Sequence, residues 1–186
     1  MKKLLLAAIG ATGLLASCGN ASVGDASVEL TGIKTEYRTV GGTYVACDET
    51  SAGSSKTQVG VYFTAQGTIS SVDIALKGKT TSQYDSNYMT NVTGAKLASI
   101  GGNDFKVVFD ADSTVGLLPQ AIIVNPAART VKIVSVLPSD NVGSFYASLK
   151  LNTPAGSDTA STQLIANGYI PVYQYCTVLS TTAETL

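Results

Sequence analysis

Alternation of apolar and polar residues, in runs too short for helices, constrains this chain more than any other feature of it. Val59, Val61 and Phe63 alternate with Gly60 and Tyr62, and Val72, Ile74 and Leu76 with Ser71, Asp73 and Lys77. Phe105, Val107 and Phe109 share one phase, as do Phe145, Ala147, Leu149 and Leu151 against Tyr146, Ser148 and Lys150. A period of two puts each apolar set on one face of a half-buried strand. Glycine, asparagine, aspartate or proline interrupts the pattern every ~8–12 residues, and no stretch keeps a helical period. Charged residues are only 13% of the chain, about half the usual share. Threonine, serine, glycine, valine and tyrosine fill the space, a mixture that suits strands and turns. The expectation is an all-β domain, a single antiparallel β-sandwich of about nine strands.

In chain order, Gly32 changes the phase between Val28/Leu30 and Ile33/Thr35/Tyr37 and predicts a bulge. Gly41-Gly42 turns the chain into Thr43–Cys47. The short Ala65-Gln66-Gly67 link predicts a hairpin between the Val59–Phe63 and Val72–Leu76 runs. A long polar interruption covers Gly78 to Thr93. Ala121–Val124 is expected to pair with Thr130–Leu137 across Asn125-Pro126-Ala127-Ala128-Arg129. The last strand region is expected over Gln163–Cys176, with Pro171 marking an edge or a switch between sheets. The layout resembles an immunoglobulin- or fibronectin-like sandwich, although the chain has no tryptophan for the usual core. A closed antiparallel barrel is the alternative.

Residues 1–18 carry a different kind of information. Lys2 and Lys3, an apolar run from Leu4 to Leu15 and the small residues Ala16-Ser17 form a secretory signal. The run is shorter than the ~20 residues a bilayer crossing needs. Leu15-Ala16-Ser17-Cys18 resembles the lipobox of bacterial lipoproteins, in which the diacylated cysteine becomes the first residue of the mature chain. That resemblance implies a signal peptide over 1–17, a lipid on Cys18, a flexible tether through residue 26 and a sandwich domain over 27–186. An ordinary cleaved signal with a cysteine nearby is the competing reading. Gly19 stands where an aspartate would favour the inner membrane, so the resemblance implies outer-membrane sorting. Two or three acyl chains, at ~0.8 kcal/mol per buried methylene, hold a protein firmly. The tether averages ~16 Å end to end and keeps the domain near the bilayer.

Removing residues 1–17 from the 186 leaves 169, a length that suits one domain. Lys2 and Lys3 leave with the signal, so ten basic residues face thirteen acidic ones, and no basic patch favours nucleic acid. With Cys18 taken by lipid, Cys47 and Cys176 remain for a disulfide in an oxidising compartment. Neither belongs to a CxxC pair, which argues for a structural rather than a redox bridge.

The chain contains no histidine. Serine-hydrolase triads thereby lose their usual base and copper or catalytic zinc sites their usual ligands. Asp110-Ala111-Asp112-Ser113 resembles a fragment of a calcium loop, with Asp104 as a third carboxylate, but the glycine and glutamate of an EF-hand are missing. Asp73 and Asp85 are carboxylates without a context that would make them a glycosidase pair. Asn91-Val92-Thr93 matches a glycosylation sequon. The tyrosines are more informative. Tyr84 and Tyr88 lie in the polar interruption, and Tyr169, Tyr173 and Tyr175 share one phase, opposite Ile170, Val172 and Cys176. If Cys176 faces inward, those tyrosines face outward, where rigid amphipathic rings suit a protein partner or a sugar. The sequence thus points to a non-catalytic envelope lipoprotein with no cofactor, docking onto an outer-membrane or surface-layer complex. The alternatives are a polysaccharide- or peptidoglycan-binding module and, third, a metal-dependent enzyme.

Overall fold

A computed structural model describes residues 27–79, 89–112, 122–124 and 127–186. The signal, Cys18, the tether, Tyr84, Asp85 and Tyr88 lie outside the described residues. Thirteen strands are described: β1 (Ser27–Thr35), β2 (Tyr37–Thr39), β3 (Tyr44–Thr50), β4 (Lys56–Gln66), β5 (Ser71–Gly78), β6 (Met89–Thr93) and β7 (Ala98–Gly101). They continue as β8 (Asp104–Asp112), β9 (Ile122–Val124), β10 (Thr130–Val136), β11 (Asn141–Thr153), β12 (Gly156–Ser161) and β13 (Ile170–Thr185). Among the described residues, short 3₁₀ turns lie between strands at Gly94–Lys96, Pro138–Asp140 and Thr162–Leu164.

The strands form two sheets. The first has the order β1-β4-β8-β7, with β9 also on β8, and is antiparallel throughout. The second has the order β10-β2-β3-β13-β11-β5-β6, with β12 on β11. It is mixed, because β10 runs parallel to β2 and β13 parallel to β3. The sheets pack face to face as a sandwich, and among the described residues no closed barrel forms.

Alternation builds the slab between them. Leu30, Ile33, Val59, Val61, Phe63, Val107 and Phe109 point inward from the first sheet, and Val72, Ile74, Leu76, Phe145, Leu149 and Leu151 from the second. Each such side chain, fully buried, contributes on the order of 1.5–3 kcal/mol. The predicted bulge is present, as a register shift between Leu30 and Gly32.

Two predicted pairings do not form. β4 and β5 belong to different sheets: β4 pairs with β1 and β8, β5 with β11 and β6. The link between them carries the chain across the sandwich, a connection that the short glycine-bearing loop does not distinguish from a hairpin. β9 pairs with β8, while β10 pairs with β2 and β13. The last strand is also displaced from its expected limits. Thr162–Leu164 is a 3₁₀ turn, and β13 starts at Ile170 and runs on to Thr185.

β13 joins three regions. Ile170–Tyr173 pairs with β11, Val172–Cys176 with β3, and Cys176–Thr185 with β10. Pro171 sits where β11 is alongside and the β3 pairing has yet to begin, a position that tolerates its missing N–H. Because β10 pairs with both β2 and β13, the strands β10, β2, β3 and β13 make a circuit of pairings at this end of the sheet. The tail of β13 then reaches the first sheet: Glu184 meets Lys34 of β1, and the Leu186 backbone oxygen accepts from Lys106 of β8 at 2.6 Å. Ile33 and Val107 point into the slab, so Lys34 and Lys106 stand on the opposite face of that sheet.

Candidate functional site

Cys47 and Cys176 form a disulfide, with an S–S distance of 2.03 Å and Cα atoms 5.8 Å apart. It lies inside the four-strand circuit among Tyr37, Val45 and Val134, a small core separate from the main slab. Cys176 faces inward, as the expectation for the tyrosines required, but the three tyrosines do not share one outward row. Tyr175 is 42% exposed. Tyr173 is half-buried and packs on the disulfide cluster. Tyr169 precedes β13 and lies against Tyr146, edge to face, with ring centroids 5.8 Å apart.

The aspartates of the calcium-loop fragment are all on β8. Asp110 and Asp112 occupy alternate positions of one strand, opposite Gln58 and Lys56. Asp104 is six positions away, roughly 20 Å along a strand, and accepts from the Thr64 hydroxyl at 2.8 Å. Asp110 is engaged by cations and amides of the protein: Arg129 Nη2 lies 3.0 Å from its Oδ2, and Gln58 Nε2 3.2 Å from its Oδ1. Among the described residues no group of three metal-ligating side chains gathers. Asp73, the other described carboxylate singled out above, accepts from the Asn91 and Asn152 amides, and Asn91 is the asparagine of the sequon.

Sequence reading missed the buried ionic network that holds Asp110. Glu36 lies between β1 and β2, where the chain passes from one sheet to the other, and is 0% exposed. Its Oε1 accepts from Arg129 Nη1 at 2.6 Å and from the Gln58 backbone N–H at 2.9 Å, while Oε2 lies 3.5 Å from Lys132 Nζ. Gln58, also fully buried, donates to Asp110 and to the Ala127 carbonyl and accepts from the Arg129 N–H at 2.6 Å. Burial opposes the Arg129 charge, yet the coulombic pull and hydrogen bond of Glu36, with Asp110 behind them, raise its pKa above the ordinary value. Every polar group here is matched. The arrangement is a brace between β1, β4, β8 and β10. Glu36 and Arg129 are 93 positions apart, so no local pattern pairs them.

A second cluster, equally unseen in sequence, forms around Glu184. It receives Arg38 Nη1 at 2.8 Å, Lys34 Nζ at 3.2 Å and the Tyr44 hydroxyl at 2.7 Å. The Tyr44 hydrogen bond holds its carboxyl below the usual range, against a smaller opposing effect of burial and with help from Lys34 and Arg38. Burial works against the Lys34 charge, but Glu184 and the rings of Tyr44 and Tyr62 outweigh it and raise its pKa. Burial raises the Tyr44 and Tyr62 phenols as well.

Two open depressions meet at Tyr169. One, of about 360 Å³, is lined by Lys34, Gly41, Gly42, Tyr44, Asn167 and Tyr169 among others. The other, of about 430 Å³, is lined by Lys79, Asn141, Gly143, Ser144, Tyr169 and Pro171. The loop that carries Tyr169 is fixed from beneath. The buried Thr162 hydroxyl donates to the Gly168 carbonyl at 2.6 Å and accepts from the Ala147 N–H at 3.0 Å. A Cβ on Gly168 would fall 1.6 Å from the Thr162 carbonyl oxygen, so only glycine fits. Asn167 is the one non-glycine residue with positive φ, at 57°, among the described residues, a conformation that asparagine accepts more readily than most.

Comparison of the chain with protein-family models, with curated proteins and with solved structures gives no match.

Proposed function

We propose that this chain is a non-catalytic, lipid-anchored cell-envelope protein, a structural or accessory subunit whose sandwich docks onto an outer-membrane or surface-layer complex. The observation that carries the reading is the placement of open apolar surface. Among the described residues seven large apolar side chains are exposed, and four of them, Leu137, Val142, Tyr175 and Leu179, lie on β11, β13 and the end of β10 around the staple. Val136 packs on the disulfide core and Cys176 is part of it, so alternation turns Leu137 and Tyr175 to the outside. Apolar residues clustered in this way are expected of a surface that meets a partner, and tyrosine supplies contact area with little loss of side-chain freedom. The lipobox and the short tether add the membrane attachment at Cys18. The missing histidine, and the engagement of Glu36 and Asp110 by Arg129, Lys132 and Gln58, favour a docking role over a catalytic one.

Extraction of native envelopes in mild detergent, followed by size separation, tests the reading. The chain should run within a larger assembly, and Leu137→Ser with Tyr175→Ser should shift it to the monomer position with its disulfide intact. A wild-type chain that already runs as a monomer refutes docking. Cys18→Ser should separately abolish lipid labelling and release the domain from membranes; retained attachment refutes the anchor.

A further inference from the structure

Docking through the staple corner leaves the Tyr169 depressions without a role, and their lining is of a different kind. Among the described residues the charged side chains of the lining are Lys34 in one depression and Lys79 in the other, with no aspartate or glutamate beside them. This is notable in a chain whose acidic residues outnumber its basic ones. Lys79 Nζ stands 4.6 Å from the centroid of the Tyr169 ring. Lys34 is partly neutralised by Glu184, but Glu184 is shared with Arg38, so the group keeps a net positive charge.

The remaining lining suits a hydroxyl-rich ligand. Asn141, Ser144 and Asn167 offer amide and hydroxyl groups, and Gly41, Gly42 and Gly143 leave backbone open to close approach. Tyr169, with Lys79 over its ring, and Tyr44, with Lys34 and Arg38 over its ring, set aromatic carbon beside cations, a pairing that suits the apolar edge and the carboxylate of an acidic sugar. The loop beneath Tyr169 is fixed by Thr162 and Gly168, so ordering it costs a ligand little.

We infer that the two depressions flanking Tyr169 form one binding site for an acidic oligosaccharide. A sugar packs against the part of the Tyr169 ring that Lys79 and Tyr146 leave open, Lys79 and Lys34 meet carboxylates at either side, and the asparagine and serine groups bond hydroxyls. The site adjoins the docking face at Val142, whose neighbours Asn141 and Gly143 line the second depression, but shares none of the docking side chains.

The full chain in mild detergent, applied to an array of uronate- and sialate-bearing oligosaccharides with carboxyl-reduced counterparts and an acidic peptide, tests this. Acidic oligosaccharides should bind, and their neutral counterparts should bind about tenfold more weakly or not at all, because charge-assisted hydrogen bonds are lost. Binding should weaken as salt is raised. Tyr169→Ala should cost about tenfold or more, whereas Tyr169→Phe should keep most of the affinity because the ring remains. Lys79→Gln should reduce the preference for the acidic form, the part that remains being due to Lys34. Intact protein mass, the disulfide and the unfolding midpoint of each variant separate loss of the site from loss of the fold. Absence of acidic-sugar binding by the folded wild type overturns the inference. So does binding unchanged in Tyr169→Ala, or preference for the acidic peptide. The same array run on the Leu137→Ser, Tyr175→Ser variant, which does not dock, reads the site apart from the docking face.

Discussion

The slab between the sheets and the corner around the staple are held together by different physics. In the slab, aliphatic and phenylalanine side chains from both sheets interdigitate, and cohesion follows from apolar area removed from water. In the corner two pairings are parallel, and the apolar cluster has five fully buried members, two of them the bonded cysteines. A core that small gains little from burial alone. A disulfide and the Glu36–Arg129–Asp110 brace, both long-range in sequence, supply what burial does not. The difference indicates that the slab defines the fold, and that specific cross-links keep β13 and β10 turned onto the first sheet.

The largest expected effect comes from cutting the staple. The cysteines are 129 positions apart, and closing a loop of that length stabilises the chain by about 5 kcal/mol in the chain-entropy description. Cys47→Ala with Cys176→Ala should therefore lower the denaturant midpoint severely while leaving the β content of any folded fraction unchanged. Hydrogen exchange sharpens the comparison. Amides of Val45 and Val134 should lose protection well before those of Val61 and Leu149. Equal loss at all four sites would mean that slab and corner are one cooperative unit.

Next is Glu36→Ala, which leaves Arg129 and Lys132 without their buried acceptor. Breaking a buried pair from one side costs about 3–5 kcal/mol. Replacing Glu36 and Arg129 by leucine together with Asp110→Asn should recover part of that loss, because no uncompensated carboxylate then remains beside Gln58. A double-mutant cycle from denaturant unfolding measures the coupling, and additive losses would remove the brace from the account. For the slab, Leu149→Ala in β11 should cost about 3 kcal/mol, within the usual range for a buried leucine. Unlike the corner variants, it should lower protection throughout the sandwich.

The same division separates what the sequence discloses from what it hides. Val59–Phe63, Phe105–Phe109 and Phe145–Leu151 are legible because burial on one face writes a period of two into each strand. The sandwich class and the Cys47–Cys176 pair follow from that pattern and from the cysteine count. Strand partners are hidden: β4 and β5 alternate alike, and nothing local reports that Gly67 leads across the slab rather than into a hairpin. The tail of β13 is hidden for another reason. Thr177–Thr185 carries mostly polar side chains, because this segment turns away from the slab, and its partner on one edge is β10. Of the candidate site, Tyr169 was visible as an aromatic out of phase with the core, but Lys34, Lys79 and Asn167 are gathered around it only by the fold.

The smallest expected effect belongs to Glu184, where β13 returns to the first sheet, and it depends on pH. Its native pKa lies below the ordinary value of 4.5, chiefly through the Tyr44 hydroxyl. A carboxylate depressed in this way is more easily ionised folded than unfolded, so its contribution is complete above the unfolded value. That contribution declines as pH falls below about 4.5 and is lost once pH passes beneath the native pKa. The cluster is partly open to water, which limits the effect to about 1 kcal/mol or less. Glu184→Gln should thus lower the melting midpoint slightly at pH 7 and progressively less as pH falls below about 4.5, and added salt should shrink the difference at pH 7. Paired thermal melts of the two proteins from pH 2 to 7 make the measurement. A gap that widens toward acid would have the wrong sign and would show that Glu184 is not stabilised as the charged acceptor of Lys34, Arg38 and Tyr44.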